Sequence, residues 1–291
     1  MIENILQYEF LQNAFFTGIM IGILAPLLGV FIVVRRLSLI ADALSHITLA
    51  GIAASMLLEK KVMAFQGLNP IYMGMVFSVG GSMLIENLRK IYKHYQELAI
   101  PIILSGGVGL SVVFISLADG FNTDLFTYLF GSVTAVSRVD LWTILIVTIV
   151  VISMIVLFFK ELFILSFDEE HAVVSGINAK WIHFLFIVMV AIVIAASMRI
   201  VGVLLVSALM TLPVASSIRI ARGFKQTILY SVLFGEIAVV GGLIVAYYLD
   251  IAPGGTIVIF SILILMTTIL IKKITRSLPR KTARSRFDEY R

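Results

Sequence analysis

Apolar runs of about 20 residues, separated by short charged clusters, repeat along almost the whole chain. A helix of that length crosses the hydrocarbon core of a bilayer. The alternation typical of β-barrel strands is missing, so helices must satisfy the backbone. The pattern therefore predicts an all-α, polytopic transmembrane helical bundle forming one domain over residues 1–291. It has about nine spans, with eight and ten as the bounds. The predicted spans are 10–34, 37–58, 70–88, 99–118, 141–159, 182–198, 200–218, 227–248 and 256–272.

The basic residues between the apolar runs indicate the orientation, because cytoplasmic connections carry an excess of lysine and arginine. The predicted spans place most of these residues on one side of the membrane: Arg35, Arg36, Arg89, Lys90, Lys93, Lys160, Lys180, Arg219, Arg222 and Lys225. The other side receives Lys60, Lys61, Arg138 and Arg199. We therefore predict an external N-terminus and a cytoplasmic C-terminus. The basic tail 276–291 is then expected to lie near anionic lipid headgroups.

Composition supports an integral protein of the cell membrane and excludes several functional classes. Hydrophobic residues make up 60% of the chain and charged residues only 13%, where soluble domains have about 25%. The net charge of +5 is explained by topology signals, so no nucleic-acid partner is expected. Cysteine is absent, which excludes disulfides and thiolate ligands. The sequence has no phosphate-binding G-x-x-x-x-G-K-[ST] loop and no hydrolase motif. The chain is therefore not expected to be an enzyme or to hydrolyse ATP itself.

Two metal-competent residues, Asp42 and His46, lie four positions apart inside the second predicted span. This spacing places both side chains on one helix face. Ionisable groups at membrane depth are costly and usually serve function, and a carboxylate with an imidazole suits a small divalent cation. The alternative is that both are structural groups with local hydrogen bonds. A third ionisable residue at depth, Glu236, is either part of a cation path or a packed, protonated side chain.

The segment 162–176 is part of the longest polar connection on the cytoplasmic side. We predict a short helix in it, with Ser166 as the N-cap, Glu169 closing a capping box, and Gly176 ending the helix. Phe167 contributes to an apolar side, which suits docking into another protein. A simple surface connector is the alternative interpretation.

Two other stretches deviate from ordinary spans. Segment 119–140 is too short and too polar to cross the membrane, so it is either an interfacial or re-entrant element or an external loop. In the span that begins near Gly202, Pro213 frees a backbone carbonyl one turn earlier. This predicts a kinked helix, which either only packs in the bundle or also gates a pathway.

Residues near the cytoplasmic boundary have less distinctive patterns. Glu86 is expected to pair with Arg89 at a spacing of three residues. The histidines His94, His171 and His183 show no metal-ligand spacing and are interpreted as ordinary boundary residues.

Several of these stretches together resemble the zinc/manganese-type ABC transporter permeases, over about residues 10–272. The matching stretches, in order, are Asp42–His46 with Gly51–Ala53, Leu129–Ser132 with Asp140-Leu141, Leu162–Gly176, Gly202–Pro213, and Tyr248–Asp250 with Thr256–Val258. The family is similar in architecture to the vitamin B12 permeases, which are type II ABC importers.

The resemblance implies a permease homodimer with one pathway at its axis, a separate cytosolic ATPase and an extracellular metal-binding protein. It implies that Asp42 and His46 are transit ligands for zinc or manganese rather than holders of a permanent cofactor. It makes segment 162–176 the coupling element, and we assign ATPase contact to four residues: Phe167, Asp168, Glu169 and Gly176.

Within the same resemblance, the helix marked by Gly202 and Pro213 is the candidate gating helix, and the stretch 206–213 favours zinc over manganese. Two rival functions remain at this point. One is an ion-gradient-driven secondary transporter with Asp42, His46 and Glu236 as a proton relay. The other is an intramembrane enzyme, for which no nucleophile is evident.

Overall fold

The computed structural model describes residues 8–62, 67–118, 120 and 123–277. The basic tail lies outside this part from residue 278 onward. The helices are α1 (Glu9–Val34), α2 (Leu39–Lys61), α3 (Pro70–Ile91), α4 (Ala99–Leu117), α5 (Thr123–Phe130), α6 (Arg138–Leu157), α7 (Phe159–Phe167), α8 (Glu169–Val174), α9 (Ala179–Val201), α10 (Val203–Ile220), α11 (Phe224–Leu249) and α12 (Pro253–Ser277). A 3-10 turn, Gln96–Leu98, leads into α4.

Each predicted span corresponds to one helix, so the all-helical bundle is confirmed. Within the described residues, eight helices are long and apolar enough to cross a membrane. The ninth, α10, has 18 residues and is roughly 27 Å long, slightly less than a bilayer core. It begins at Val203 rather than at residue 200, because Gly202 interrupts the helix.

Three helices form the centre of the bundle. About two thirds or more of the apolar stretch of α1, α2 and α9 is buried inside the protein, compared with about one third in the outer helices. The helix α2 packs against α3, α4, α9 and α10, and α1 packs against α6, α10 and α11. The helix that carries Asp42 and His46 is therefore enclosed by the rest of the chain along most of its length.

Glycines on the neighbouring helices bring α2 close to them. A Cβ at Gly107 of α4 would lie 2.9 Å from the backbone nitrogen of Ile47 and 3.1 Å from the carbonyl carbon of His46. On α3, a Cβ at Gly81 would lie 2.9 Å from the Ile47 side chain. By contrast, Gly106 faces open space. Of the glycines clustered here, those that face α2 are therefore the ones that permit close packing.

Segment 119–140 is not an ordinary loop. Its short helix α5 packs against α9, α10 and α12, and Tyr128 on it is buried. After α5 the chain passes the α9–α10 junction so closely that a Cβ at Gly131 would lie 2.0 Å from the carbonyl oxygen of Ile200. Gly202, with a φ of +86°, would place a Cβ 2.4 Å from the carbonyl oxygen of Leu129. Both positions therefore require glycine.

An ion pair and its neighbouring hydrogen bonds connect four helices at the same end of the bundle. An Arg199 Nη1 donor lies 2.6 Å from Asp140 Oδ2, and Asn69 donates to the other carboxylate oxygen at 3.1 Å. Asp140 also forms a capping box with Ser137 at the start of α6. The Arg199 guanidinium lies over the ring of Tyr128, with 5.7 Å between the guanidinium carbon and the ring centroid. These contacts join α3, α5, α6 and α9.

The cytoplasmic helix predicted in segment 162–176 exists, but its N-cap prediction is wrong. Ser166 lies in the last turn of α7, where its hydroxyl donates to the carbonyl of Leu162 at 2.6 Å. Asp168 is the N-cap of α8 and accepts a hydrogen bond from the His171 backbone at 2.8 Å. The segment is therefore two short helices, α7 and α8, that meet at Asp168.

Candidate functional site

Asp42 and His46 lie on one face of α2, in its first and second turns, as their spacing predicts. Both side chains are half-buried, and an electrostatic interaction couples them. The adjacent residues Ala43, Leu44 and Ile47 are buried in the core. The pair is therefore fixed to an enclosed helix but keeps part of its polar surface accessible to an ion.

The hydroxyls next to the pair differ in their hydrogen bonding. Thr48 donates to the carbonyl of Leu44 at 2.7 Å, which satisfies it within α2. The Ser45 hydroxyl is buried, with 1% of the residue exposed, and has no hydrogen-bond partner in the described part of the chain. The Ser45 hydroxyl is therefore a buried polar group that no described residue satisfies, between Asp42 and His46 in sequence.

Asp42 and His46 alone would make an incomplete coordination shell for a metal ion. Among the described residues, no group of three or more His, Cys, Asp or Glu side chains is arranged to hold a metal. Zinc sites usually have at least three protein ligands, and manganese prefers a larger oxygen-rich set. The pair of Asp42 and His46 therefore needs further ligands, from water or from another chain, to hold an ion.

Glu236 does not join the pair. It lies on α11, which packs against α1, and a Cβ at Gly22 of α1 would lie 2.7 Å from its Oε1 atom. That oxygen is buried and has no partner within the described residues. The proton relay of Asp42, His46 and Glu236 consequently has no support from the arrangement of these three residues.

Of the two residues assigned to the candidate gating helix, Pro213 lies within α10 and Gly202 lies just before it. Gly202 lies at the junction of α9 and α10 rather than within a helix, and its backbone is interlocked with α5. Pro213 lies inside α10, as predicted. The same helix contacts α1 so closely that a Cβ at Gly29 would lie 1.9 Å from the carbonyl oxygen of Met210.

The residues that the sequence assigns to ATPase contact lie at an exposed surface formed by α7 and α8. Phe167 is 61% exposed although its ring contacts Phe163 and Phe224 at centroid distances of 5.0 and 5.7 Å. Val174 is 86% exposed, whereas Ala172 is fully buried and anchors α8. Gly176 ends α8 with a φ of +82°, as predicted. We note that a free apolar edge of this kind is suited to contact with another protein.

The structure differs from two expectations for Glu86 and His183. Glu86 forms an ion pair with Lys90 at 3.8 Å and contacts the His183 ring at 3.3 Å, whereas Arg89 donates to Gln96 at 3.2 Å. His183 is buried, and its two ring nitrogens lie 2.5 Å from Arg35 and 2.7 Å from Arg89. Sequence spacing could not reveal this cluster, because its members come from the α1–α2 turn, α3 and α9.

Comparison with known proteins gives concordant results. The model of the ABC 3 transport family matches residues 7–272. The manganese import system permease protein ScaB of Streptococcus gordonii is 34% identical over 280 residues, which cover 96% of this chain and 98% of that protein. The high-affinity zinc uptake system membrane protein ZnuB of Haemophilus influenzae is 31% identical over 254 residues, 87% of this chain and 94% of that protein.

Among solved structures, the chain is similar to one described as PsaBC from Streptococcus pneumoniae in complex with Fab. The TM-score is 0.82 at 32% sequence identity, with 95% of this chain and 97% of that chain covered. The similarity therefore extends over the whole bundle.

Proposed function

The chain belongs to the ABC 3 transport family, and we propose that it is the permease subunit of an ATP-driven importer for zinc or manganese. It is an integral membrane transport subunit, and the ion is its cargo. The observation that carries the proposal is the pair Asp42 and His46, two metal-competent side chains on one face of an enclosed membrane helix.

We propose that the ion passes between two copies of the chain, each contributing Asp42 and His46. The described part of one chain offers two such ligands at this position and no larger group. Two copies related by a two-fold axis would supply two carboxylates and two imidazoles, enough for a four-coordinate ion. A site shared between subunits also opens when they move apart, which suits transit better than permanent binding.

The ligand pair can be tested in the complex reconstituted with its ATPase and binding protein. Asp42→Ala and His46→Ala should each lower ATP-dependent uptake of radioactive zinc and manganese by at least about 100-fold, since even the outer-shell partners of metal ligands are worth 10–100-fold. Ser55→Ala is the matched control, because Ser55 is a buried polar residue on the same helix, well past the pair. Uptake near the wild-type rate in both alanine variants would refute the assignment.

We propose a cytosolic ATPase as a partner because α7 and α8 present an exposed apolar surface and because the sequence has no phosphate-binding loop of its own. The exposed edge formed by Phe167 and Val174, next to the capped helix α8, is proposed to dock on a cytosolic ATPase. Asp168, Glu169 and Gly176 shape or flank that helix. The ATPase supplies the energy, and an extracellular metal-binding protein delivers the ion. If vesicles containing this chain alone accumulate metal, the chain is a secondary transporter instead.

The chemistry of the pair suits both ions, because imidazole is a good zinc ligand and carboxylate suits manganese. We propose zinc, with manganese as its competitor, from the resemblance in the stretch 206–213. Uptake competition in the reconstituted complex decides between them: a tenfold excess of manganese that blocks zinc uptake would reverse the preference.

A further inference from the structure

The cytoplasmic cluster around His183 contains more hydrogen-bond donors than acceptors. Arg35 Nη2 lies 2.5 Å from Nδ1 of the ring and Arg89 Nη1 lies 2.7 Å from Nε2. A neutral imidazole has only one acceptor nitrogen, and a protonated one has none. At least one of the two guanidinium groups therefore faces a ring nitrogen that cannot accept a hydrogen bond from it.

Neighbouring side chains satisfy these donors only in part: Gln96 Oε1 accepts from Arg89 Nη2 at 3.2 Å. Among the described residues, Glu86 is the acidic side chain in contact with His183, at 3.3 Å, and it also faces Lys90. The Nη1 atom of Arg35 is buried and has no acceptor within the described residues, and Glu86 Oε2 is buried there without a hydrogen-bond donor, so the acceptor that the cluster does contain is not placed to satisfy Arg35. Burial lowers the pKa of Arg35 to about 10, so this side chain is still charged at neutral pH. A buried charged donor without an acceptor is costly, and an anion would remove that cost.

The structure provides space for an anion next to the cluster. A cavity of about 230 Å³ is lined by four basic residues, two acidic residues, His183 and a glutamine. Its basic residues are Arg89, Lys90, Lys93 and Lys180, and its acidic residues are Glu86 and Glu169. A second cavity of about 200 Å³ shares Arg89 and Glu169 and adds Arg35 and Arg36. The first cavity is smaller than most sites for drug-sized molecules, so it suits a small oxyanion.

The position of the cavity indicates where that oxyanion comes from. The exposed aromatic residues Tyr92, Tyr95 and Trp181 lie within a few positions of Lys90, Lys93 and Lys180 along the chain. Tyrosine and tryptophan are enriched at the level of the lipid headgroups. Basic pockets between transmembrane helices on the cytoplasmic side commonly bind anionic headgroups.

We propose that the cavity between the cytoplasmic ends of α3 and α9 binds a phosphate group, held by Arg89, Lys93 and Lys180 and supplied by an anionic phospholipid. The headgroup phosphate would accept from Arg89, which lines this cavity and is one of the two guanidinium groups that compete for the His183 ring. Glu169, the first residue of α8, lines the same cavity, so the bound lipid would also contact the start of the coupling helix. This site is independent of the ion that the chain carries.

The test uses the purified full-length chain and three probes: phosphatidylglycerol, phosphatidylcholine and inorganic phosphate. Bound lipid is counted by native mass spectrometry, and stabilisation is measured as the shift in the thermal unfolding midpoint. A lysine beside an anionic lipid is worth roughly fivefold in affinity, so Lys93→Gln/Lys180→Gln should bind phosphatidylglycerol about 30-fold more weakly. Lys160→Gln/Lys225→Gln is the matched control, because it removes the same charge from exposed positions at another cavity on the cytoplasmic side.

Support requires that phosphatidylglycerol stabilises the wild type and the control pair, that phosphatidylcholine does so much less, and that the Lys93/Lys180 variant loses the effect. If inorganic phosphate reproduces the stabilisation with the same sensitivity while phosphatidylglycerol does not, the site binds free phosphate and the lipid source is wrong. If both double variants lose lipid equally, the binding is non-specific surface attraction and the proposed site is refuted. Absence of stabilisation by either anion refutes it as well.

Discussion

Ser166 and Asp168 both carry an oxygen close to the start of the coupling helix α8, yet they have different roles. The Asp168 carboxylate accepts from the His171 backbone, whereas the Ser166 hydroxyl is used inside α7. Losing an N-cap costs about 1 kcal/mol of helix stability. Asp168→Ala should therefore increase amide hydrogen exchange in residues 171–174 about fivefold and weaken co-purification of the ATPase. Ser166→Ala is the matched control and should leave both unchanged. Equal effects of the two substitutions would restore Ser166 as the cap.

At the residue scale, the sequence predicts only those parts of the candidate site whose residues are close neighbours along the chain. Asp42 and His46 are four positions apart on one helix, so spacing was sufficient to place them on a common face. His183 was interpreted as ordinary because its partners, Arg35 and Arg89, are more than 90 positions away along the chain. Contacts of this kind depend on how helices pack, which the local pattern does not encode.

The contact between α2 and α4 depends on which glycine faces the neighbouring helix. Gly107 lies against the backbone of α2 at His46 and Ile47, whereas a Cβ at Gly106 would meet nothing within 4 Å. Gly107→Ala should therefore destabilise the protein by about 1–3 kcal/mol through overpacking and displace α2, which carries Asp42 and His46. Gly106→Ala should instead be neutral or stabilising by up to about 1 kcal/mol, because alanine favours the helix. Thermal unfolding and metal uptake measure both effects. A larger loss in the Gly106 variant would contradict the packing described for α4.

At the level of elements, hydropathy predicted the membrane helices well, because a long apolar run has few alternatives in a bilayer. It placed the start of α10 too early, because Gly202 takes a φ of +86° where it passes Leu129 of α5, and the helix resumes only at Val203. It also left segment 119–140 undecided, because α5 is stabilised by burying Leu125 and Tyr128 against distant helices. Tertiary contacts therefore determine the elements that the pattern left open.

For the whole molecule, the half-buried face of α2 has a surface consistent with a contact between two copies. Leu39, the first residue of α2, lies three positions before Asp42 on this face and is 54% exposed. A two-fold axis beside this face would cover Leu39 and bring the two ligand pairs together. The proposed homodimer therefore predicts that Leu39 of one copy lies close to the same residue of the other.

Cross-linking in membranes tests this arrangement directly, because the chain has no native cysteine to interfere. Leu39→Cys should form a disulfide-linked dimer on mild oxidation, since the Cα atoms of two bridged cysteines must approach to within about 7 Å. Ile149→Cys is the matched control: this residue is 58% exposed on α6, and we expect it to face lipid. Added zinc should increase the yield for Leu39→Cys, because an ion shared by both pairs holds the copies together, and Asp42→Ala in the same chain should remove that increase. A dimer formed by Ile149→Cys and not by Leu39→Cys would place the two-fold axis on the opposite side of the bundle and separate the two ligand pairs.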